Sequence, residues 1–199
     1  MRVVLASGNR GKLREFTELL APLGIEFAPQ SQLGIEPPEE TGATFAANAI
    51  LKARHASSSS GLPAMADDSG LEVDALDGAP GVHSARYAGG HGDDAANIAK
   101  LLAELRARHA AFGPDSTRAR FRCAIALVRS ADDPAPQLAH GAWEGYIAAA
   151  PRGSGGFGYD PVFVDLASGL TAAELPAEVK NARSHRGQAL RALLAAGLK

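Results

Sequence analysis

Cysteine is nearly absent from this 199-residue chain: Cys123 is the only one. A lone cysteine closes no internal disulfide and builds no cysteine cage for zinc, so a disulfide-stapled secreted scaffold is excluded and a reducing, cytoplasmic setting is expected. An excess of charge of one sign is also lacking. The formal net charge is −2 and the basic residues are scattered, so the broad positive field that nucleic acid responds to is missing, and any bound anion should be small. Long apolar runs are missing as well. No window approaches the roughly 18 residues of a membrane span, and "VVLA" near the start is far shorter than the ~7–15-residue core of a signal peptide. Neither a membrane partner nor processing is expected. Apolar residues nevertheless make up 46% of the chain, enough to bury a sizeable core within a single domain over residues 1–199.

Hydrophobic spacing predicts alternating elements. Val3 to Ala6 is short, apolar and rich in β-branched residues, as a buried strand should be. A glycine turn follows, then Leu13, Phe16, Leu19, Leu20 and Leu23 recur at helical spacing up to Gly24, a C-terminal stop. Thr41 to about Ala56 reads as a second helix with Thr41 or Thr44 as N-cap, and "LPAMADDSGLEVDAL" as a strand interrupted by acid. Ile98, Leu101, Leu102 and Leu105 mark a third helix. Phe121, Cys123, Ile125 and Leu127 alternate as in a half-buried strand, paired with Gln137 to Ala149 across a hairpin-type loop. The last 25 residues read as helical, with Leu190, Leu193 and Leu194 inward. This is an α/β or α+β pattern with a mixed sheet.

Three polar stretches carry chemistry. In "SGNRGK", Ser7 to Lys12, glycines at a strand-to-helix turn let backbone amides approach a phosphate, and the positive helix end and Lys12 favour the anion. The glycine spacing is wrong for a Walker A loop, and Leu13 stands where Ser or Thr would hold magnesium. In "ADDSG", Asp67 and Asp68 are adjacent carboxylates that repel and lose solvation, so a cation should compensate. Oxygen ligands without zinc-type His or Cys spacing point to Mg²⁺, which takes one or two carboxylates and completes its shell with water and phosphate. Glu39 and Glu40 either complete that site or favour the start of the second helix. In "GSGGFGYDP", four glycines free the backbone around Phe157 and Tyr159, whose rings could stack on a base, while Asp160 could accept from ring N–H groups. Lys180 and the His185-Arg186 pair are donors suited to a carbonyl oxygen or a phosphate.

Taken in order, "SGNRGKLRE", "NAILKARHA", "ADDSGLEVDALDGAPGVHSARYAG", "GSGGFGYDPVF" and "SHRGQAL" make the chain resemble the inosine triphosphate pyrophosphatase family over nearly its whole length. The resemblance implies an α/β fold: an elongated mixed β-sheet flanked by helices, in two lobes around a central substrate cleft. It implies Mg²⁺-dependent hydrolysis of ITP, dITP and XTP to the monophosphate and pyrophosphate, and a homodimer. Residue by residue, Ser7, Gly8, Asn9, Arg10, Gly11 and Lys12 match the triphosphate loop, and Lys52 matches a lysine approaching the phosphates. Asp68 matches the catalytic acid and metal ligand, Glu40 a second metal acid, and Ser69 a substrate contact. Phe157, Gly158, Tyr159, Asp160, Lys180, His185 and Arg186 match the nucleobase pocket. A nucleotide sensor without hydrolysis, or a pyrophosphatase acting on modified pyrimidines, would share several of these features.

Overall fold

The computed structural model describes residues 2–21, 26–90 and 92–197. Among the described residues, six strands form one mixed sheet in the order β2-β1-β3-β4-β5-β6: β1 (Arg2–Leu5), β2 (Glu26–Pro29), β3 (Ala64–Val73), β4 (Arg118–Val128), β5 (Gln137–Ile147) and β6 (Phe163–Asp165). The helices are α1 (Arg10–Leu20), α2 (Phe45–Ser60), α3 (Asp94–Ala107), α4 (Ala177–Arg183) and α5 (His185–Ala195). The expected Leu23 and Gly24 stop lies outside the described residues. None of the helices, over the described residues, is long and apolar enough to cross a membrane.

The chain divides into two compact units, residues 1–68, 123–141 and 186–199 in the first and 69–122 and 142–185 in the second. In the first unit, β1 pairs in parallel with β2 on one side and with β3 on the other. The connection to β2 runs through α1 and the one to β3 through α2. Strand alternation then sorts the core. Val3, Leu5, Met65, Cys123, Ile125 and Leu127 pack with Phe16, Leu20, Leu190 and Leu193 of α1 and α5. Val4, Ala6, Ala64, Ala66, Ala124, Ala126 and Val128 pack with Ala49, Ala53 and Ala56 of α2. Alanine facing alanine lets α2 approach closely. The loop after β1 therefore leaves the carboxyl end of a strand whose neighbours are reached in opposite directions, the place where open α/β sheets bind ligands.

Strand β4 departs from the expected half-buried strand. Only "RARFR" alternates, with Arg118 and Arg122 exposed, whereas "CAIALV" is buried on both faces because helices cover both sides there. The acid-interrupted strand is likewise continuous from Ala64 to Val73.

In the second unit, Leu71, Val73, Phe121, Trp143, Ile147 and Phe163 form a core with Ile98, Leu101 and Leu105 of α3. Arg120 pairs with Asp74 and Glu144, and Arg122 with Glu72. Strands β5 and β6 pair antiparallel around Gly145, where a Cβ would run into the Val164 carbonyl and the Phe163 ring. Gly145→Val is expected to destabilise the protein by about 1–3 kcal/mol through overpacking; an unchanged thermal melt would show that the β5–β6 pair yields without cost.

Candidate active site

Alternation along β3 separates the two aspartates. Met65 belongs to the layer under α1 and α5 and Ala66 to the layer under α2. Asp67 therefore points to the first and Asp68 to the second. This is how the strand carries two adjacent carboxylates without a break: each meets its own cations instead of its neighbour.

On the α1 side, Asp67 is 1% exposed. Its Oδ2 accepts from Lys12 Nζ at 3.1 Å and from Arg186 Nη2 and Nε at 3.2 and 3.3 Å. Arg186, equally buried, also pairs with Glu15 and lies over the Phe16 ring, 5.7 Å from its centroid. Burial alone would push Asp67 up, but Lys12, then Arg186 and Lys52, hold it well below the usual carboxylate range. Cys123 Sγ lies 4.0 Å from the same oxygen; burial first, and then the Asp67 charge, push its thiol up to about 12.

The start of α1 sits beside this cluster. Asn9 is the N-cap, its Oδ1 accepting from the amides of Gly11 and Lys12 at 2.8 and 3.1 Å. Two of the amides expected to meet phosphate are thus engaged by Asn9 here. Gly8, Asn9 and Arg10 are exposed, and the first turn carries no acid. A positive helix end that also bears Arg10 and Lys12 favours an arriving anion.

On the α2 side, Asp68 is held by two residues one turn apart. Lys52 Nζ donates to its Oδ1 at 3.0 Å and Asn48 Nδ2 to its Oδ2 at 3.1 Å. Lys52 Nζ also donates to Glu40 Oε1 at 2.6 Å, so Glu40 and not the exposed Glu39 joins the cluster. Burial raises the Asp68 pKa and Glu40 adds to this, against the opposing pull of Lys52 and Lys12. For Lys52 the balance is reversed: burial works against its charge, yet Asp68, Asp67 and Glu40 raise its pKa. No group of three or more His, Cys, Asp or Glu residues forms a metal cage among the described residues. Asp68 and Glu40 nonetheless converge on one cationic point, the Lys52 ammonium. Two hard carboxylates at one cationic position, one of them raised by burial, fit a Mg²⁺ ion that draws its remaining ligands from water and phosphate.

In the second unit, Asp160 Oδ2 accepts from the Phe157 amide at 2.8 Å and from Lys180 Nζ at 2.5 Å. Lys180 Nζ lies over the Phe157 ring, 5.1 Å from its centroid. Gly156 has φ +73°, and a Cβ there would run into Asp160 Oδ2, so glycine is required. Gly158 N donates to Asp94 Oδ2 at 2.6 Å. Tyr159 is part of the core and its hydroxyl donates to the Ser84 carbonyl at 2.9 Å; Phe157 is the half-buried aromatic of the loop. His185 stacks on Phe121, with ring centroids 4.8 Å apart. Ser69 is half-buried on β3, one residue after Asp68.

The structure thus gathers Lys12, Asp67 and Arg186 in one cluster and Glu40, Lys52 and Asp68 in another, with Phe157, Asp160 and Lys180 in a third. Arg186, grouped by sequence with the base-binding residues, makes its ion pairs with Asp67 and Glu15. Sequence alone assigns no role to Glu15, Asn48 or Phe121: Glu15 and Asn48 are polar residues in amphipathic helices, and Phe121 reads as core.

Residues 3–196 match the model of the Ham1 family. The chain is 57% identical over 194 residues to the dITP/XTP pyrophosphatase of Halorhodospira halophila, covering 98% of this chain and 96% of that one. It is 53% identical over 193 residues to the protein of the same name from Shigella flexneri, covering 97% and 96%. A solved HAM1 protein from Coxiella burnetii superposes with a TM-score of 0.89 at 52% identity, covering 98% of both chains. Because the match runs from the first strand to the last helix, the chain belongs to the Ham1 family.

Proposed function

We propose that the protein hydrolyses dITP, ITP and XTP to the nucleoside monophosphate and pyrophosphate, and so clears these nucleotides from the pool. The observation that carries this reading is the pair of carboxylate–cation clusters that β3 presents beside the exposed start of α1. That the Halorhodospira halophila and Shigella flexneri relatives are dITP/XTP pyrophosphatases supports it. In this reading the loop from Ser7 to Lys12 takes the triphosphate. Glu40 and Asp68 hold Mg²⁺, which when bound would draw charge from the reacting phosphates. Water attacks the α-phosphorus, Asp68 accepts its proton, and the bond to the bridging oxygen breaks so that pyrophosphate leaves with the electron pair. Lys12 and Lys52 offset the charge that builds on that leaving group. No covalent nucleophile is needed, because positioning and charge stabilisation suffice for this class of transfer.

Ser69 is assigned a substrate contact, and Phe157, Gly158, Asp160, Lys180, His185 and Arg186 the base, with Tyr159 anchoring the loop from the core. Hypoxanthine and xanthine carry an oxygen at C6 that Lys180 or His185 can satisfy. Adenine presents an amino group there and would leave a buried donor unmatched. All 199 residues act as one functional domain in a cytoplasmic homodimer. The test is release of pyrophosphate against orthophosphate from dITP, XTP, dGTP and dATP, with Mg²⁺ and with EDTA. Pyrophosphate from dITP and XTP, lost in EDTA, is the expected result. Orthophosphate would overturn the reaction, and comparable dATP turnover the base assignment.

A further inference from the structure

We propose that Asn48 is a positioning residue, one that sets both the plane of the Asp68 carboxylate and the placement of the segment carrying Glu40. The inference rests on the pyrophosphatase reading and deepens it.

Asn48 is fully buried in the first turns of α2, where burying an amide is costly unless its hydrogen bonds are made. Its two ends are assigned by their partners. Gly42 N is a donor, so the atom 2.7 Å from it is the acceptor Oδ1. The other end is then the NH₂ group, and it donates to Asp68 Oδ2 at 3.1 Å. Flipping the amide would set donor against donor and acceptor against carboxylate, so one orientation is enforced. Four residues on, and therefore on the same helix face, Lys52 repeats the arrangement, with one contact to Asp68 Oδ1 and one to Glu40. Each of the two Asp68 oxygens is thus tied to a different residue of α2, which fixes the rotation of the carboxylate about its own axis. Each of the two helix residues also reaches back to the 40–42 segment.

Gly42 completes the device. A Cβ at this position would stand 2.5 Å from Asn48 Oδ1 and 2.9 Å from Ala47 Cβ, so glycine is what lets the segment come down onto the amide. Lys52 supplies charge as well as position, whereas Asn48 supplies only direction, and substrate is reached through Asp68. Partners of this kind typically contribute tenfold to a hundredfold in metal affinity or activity.

The experiment compares Asn48→Ala and Asn48→Asp with the wild type in three measurements: kcat and KM for dITP, thermal melting, and Mg²⁺-dependent binding of a non-hydrolysable α,β-methylene analogue of dITP by calorimetry. Asn48→Asp preserves volume and the acceptor for Gly42 N but removes the donor to Asp68. Both variants are expected to lose about tenfold to a hundredfold in kcat with KM for dITP little changed, and to need about tenfold more Mg²⁺ for half-maximal analogue binding. Gly42→Ala, which displaces Oδ1 through the loop, should shift the Mg²⁺ dependence in the same direction. If Asn48→Ala does not fold, Asn48→Asp and Gly42→Ala decide the matter. Wild-type kcat and Mg²⁺ dependence in folded Asn48→Asp would overturn the positioning role. A wild-type protein that releases no pyrophosphate from dITP would overturn the reading of function and this inference with it.

Discussion

Asp68→Asn is expected to cut pyrophosphate release from dITP by about 10²–10⁴-fold, the range a general base contributes, while leaving the fold intact. The substitution preserves volume and removes a charge that burial already disfavours. It also takes away the proton acceptor and one of the two carboxylates that meet at Lys52. The local cost is definite: Asn48 cannot flip to suit the new amide, because Gly42 N requires its oxygen. One donor must then face another, at Asn48 or at Lys52. A steady-state assay of pyrophosphate with dITP, beside a thermal melt, checks the prediction. Substantial turnover by a folded variant would move the proton acceptor to Glu40. Asp67 is a poor second candidate, since β3 directs it to the opposite layer, where Lys12 and Arg186 already hold it.

How much of this could be read in the sequence depended on what each residue answers to. The phosphate turn, the acidic pair and the glycine loop were legible because glycines and paired charges are unusual within a hydrophobic pattern. The sequence did not show that Asp67 and Asp68 serve different faces of a continuous strand. That follows from strand alternation once β3 is known to continue past them, and its cations come from residues far away in the chain. Asn48 and Glu15 lie within the quoted stretches "NAILKARHA" and "SGNRGKLRE" yet carry no individual signal, for the opposite reason. Each occupies a helix position where a polar side chain ordinarily faces water, and only the tertiary partner, Asp68 for one and Arg186 for the other, makes it buried.

Among the elements, long periodic helices and β4 with β5 were anticipated. Strand β2 was not: "EFAP" offers four residues without alternation and owes its existence to parallel pairing with β1. Strand β6 has three residues and depends on Gly145 for its approach to β5. The C-terminal stretch, expected as helical throughout, is two helices with Ser184 extended at ψ 152° between them. No glycine or proline marks that break. It stands between Lys180, which meets Asp160, and Arg186, which meets Asp67, and both pairings are long-range in sequence.

Arg186→Ala carries the largest expected effect on stability. The guanidinium is 1% exposed and touches two acids, Asp67 and Glu15, that are themselves buried. Truncation takes this ion-pair partner from both Asp67 and Glu15 and opens a cavity under Phe16. Removing one partner of a buried ion pair costs about 3–5 kcal/mol, which for a chain of this length lowers the melting temperature by roughly 6–20 °C. Cys123 offers an internal reporter. Its thiol is buried and protonated at neutral pH, pushed up to about 12, so reagents that need thiolate reach it only when the structure opens. Labelling of Cys123 should therefore be faster in Arg186→Ala by about a hundredfold or more, matching the loss of stability. Adding Glu15→Gln removes a buried charge that has lost its Arg186 ion pair and should recover part of the melting temperature, because a buried anion is costlier without that pairing. If the double variant regains stability yet turns over dATP nearly as well as dITP, Arg186 both braces Asp67 and reads the base. If Arg186→Ala melts and labels like the wild type, Asp67 and Glu15 are held by other groups, and the guanidinium is not the brace of this cluster.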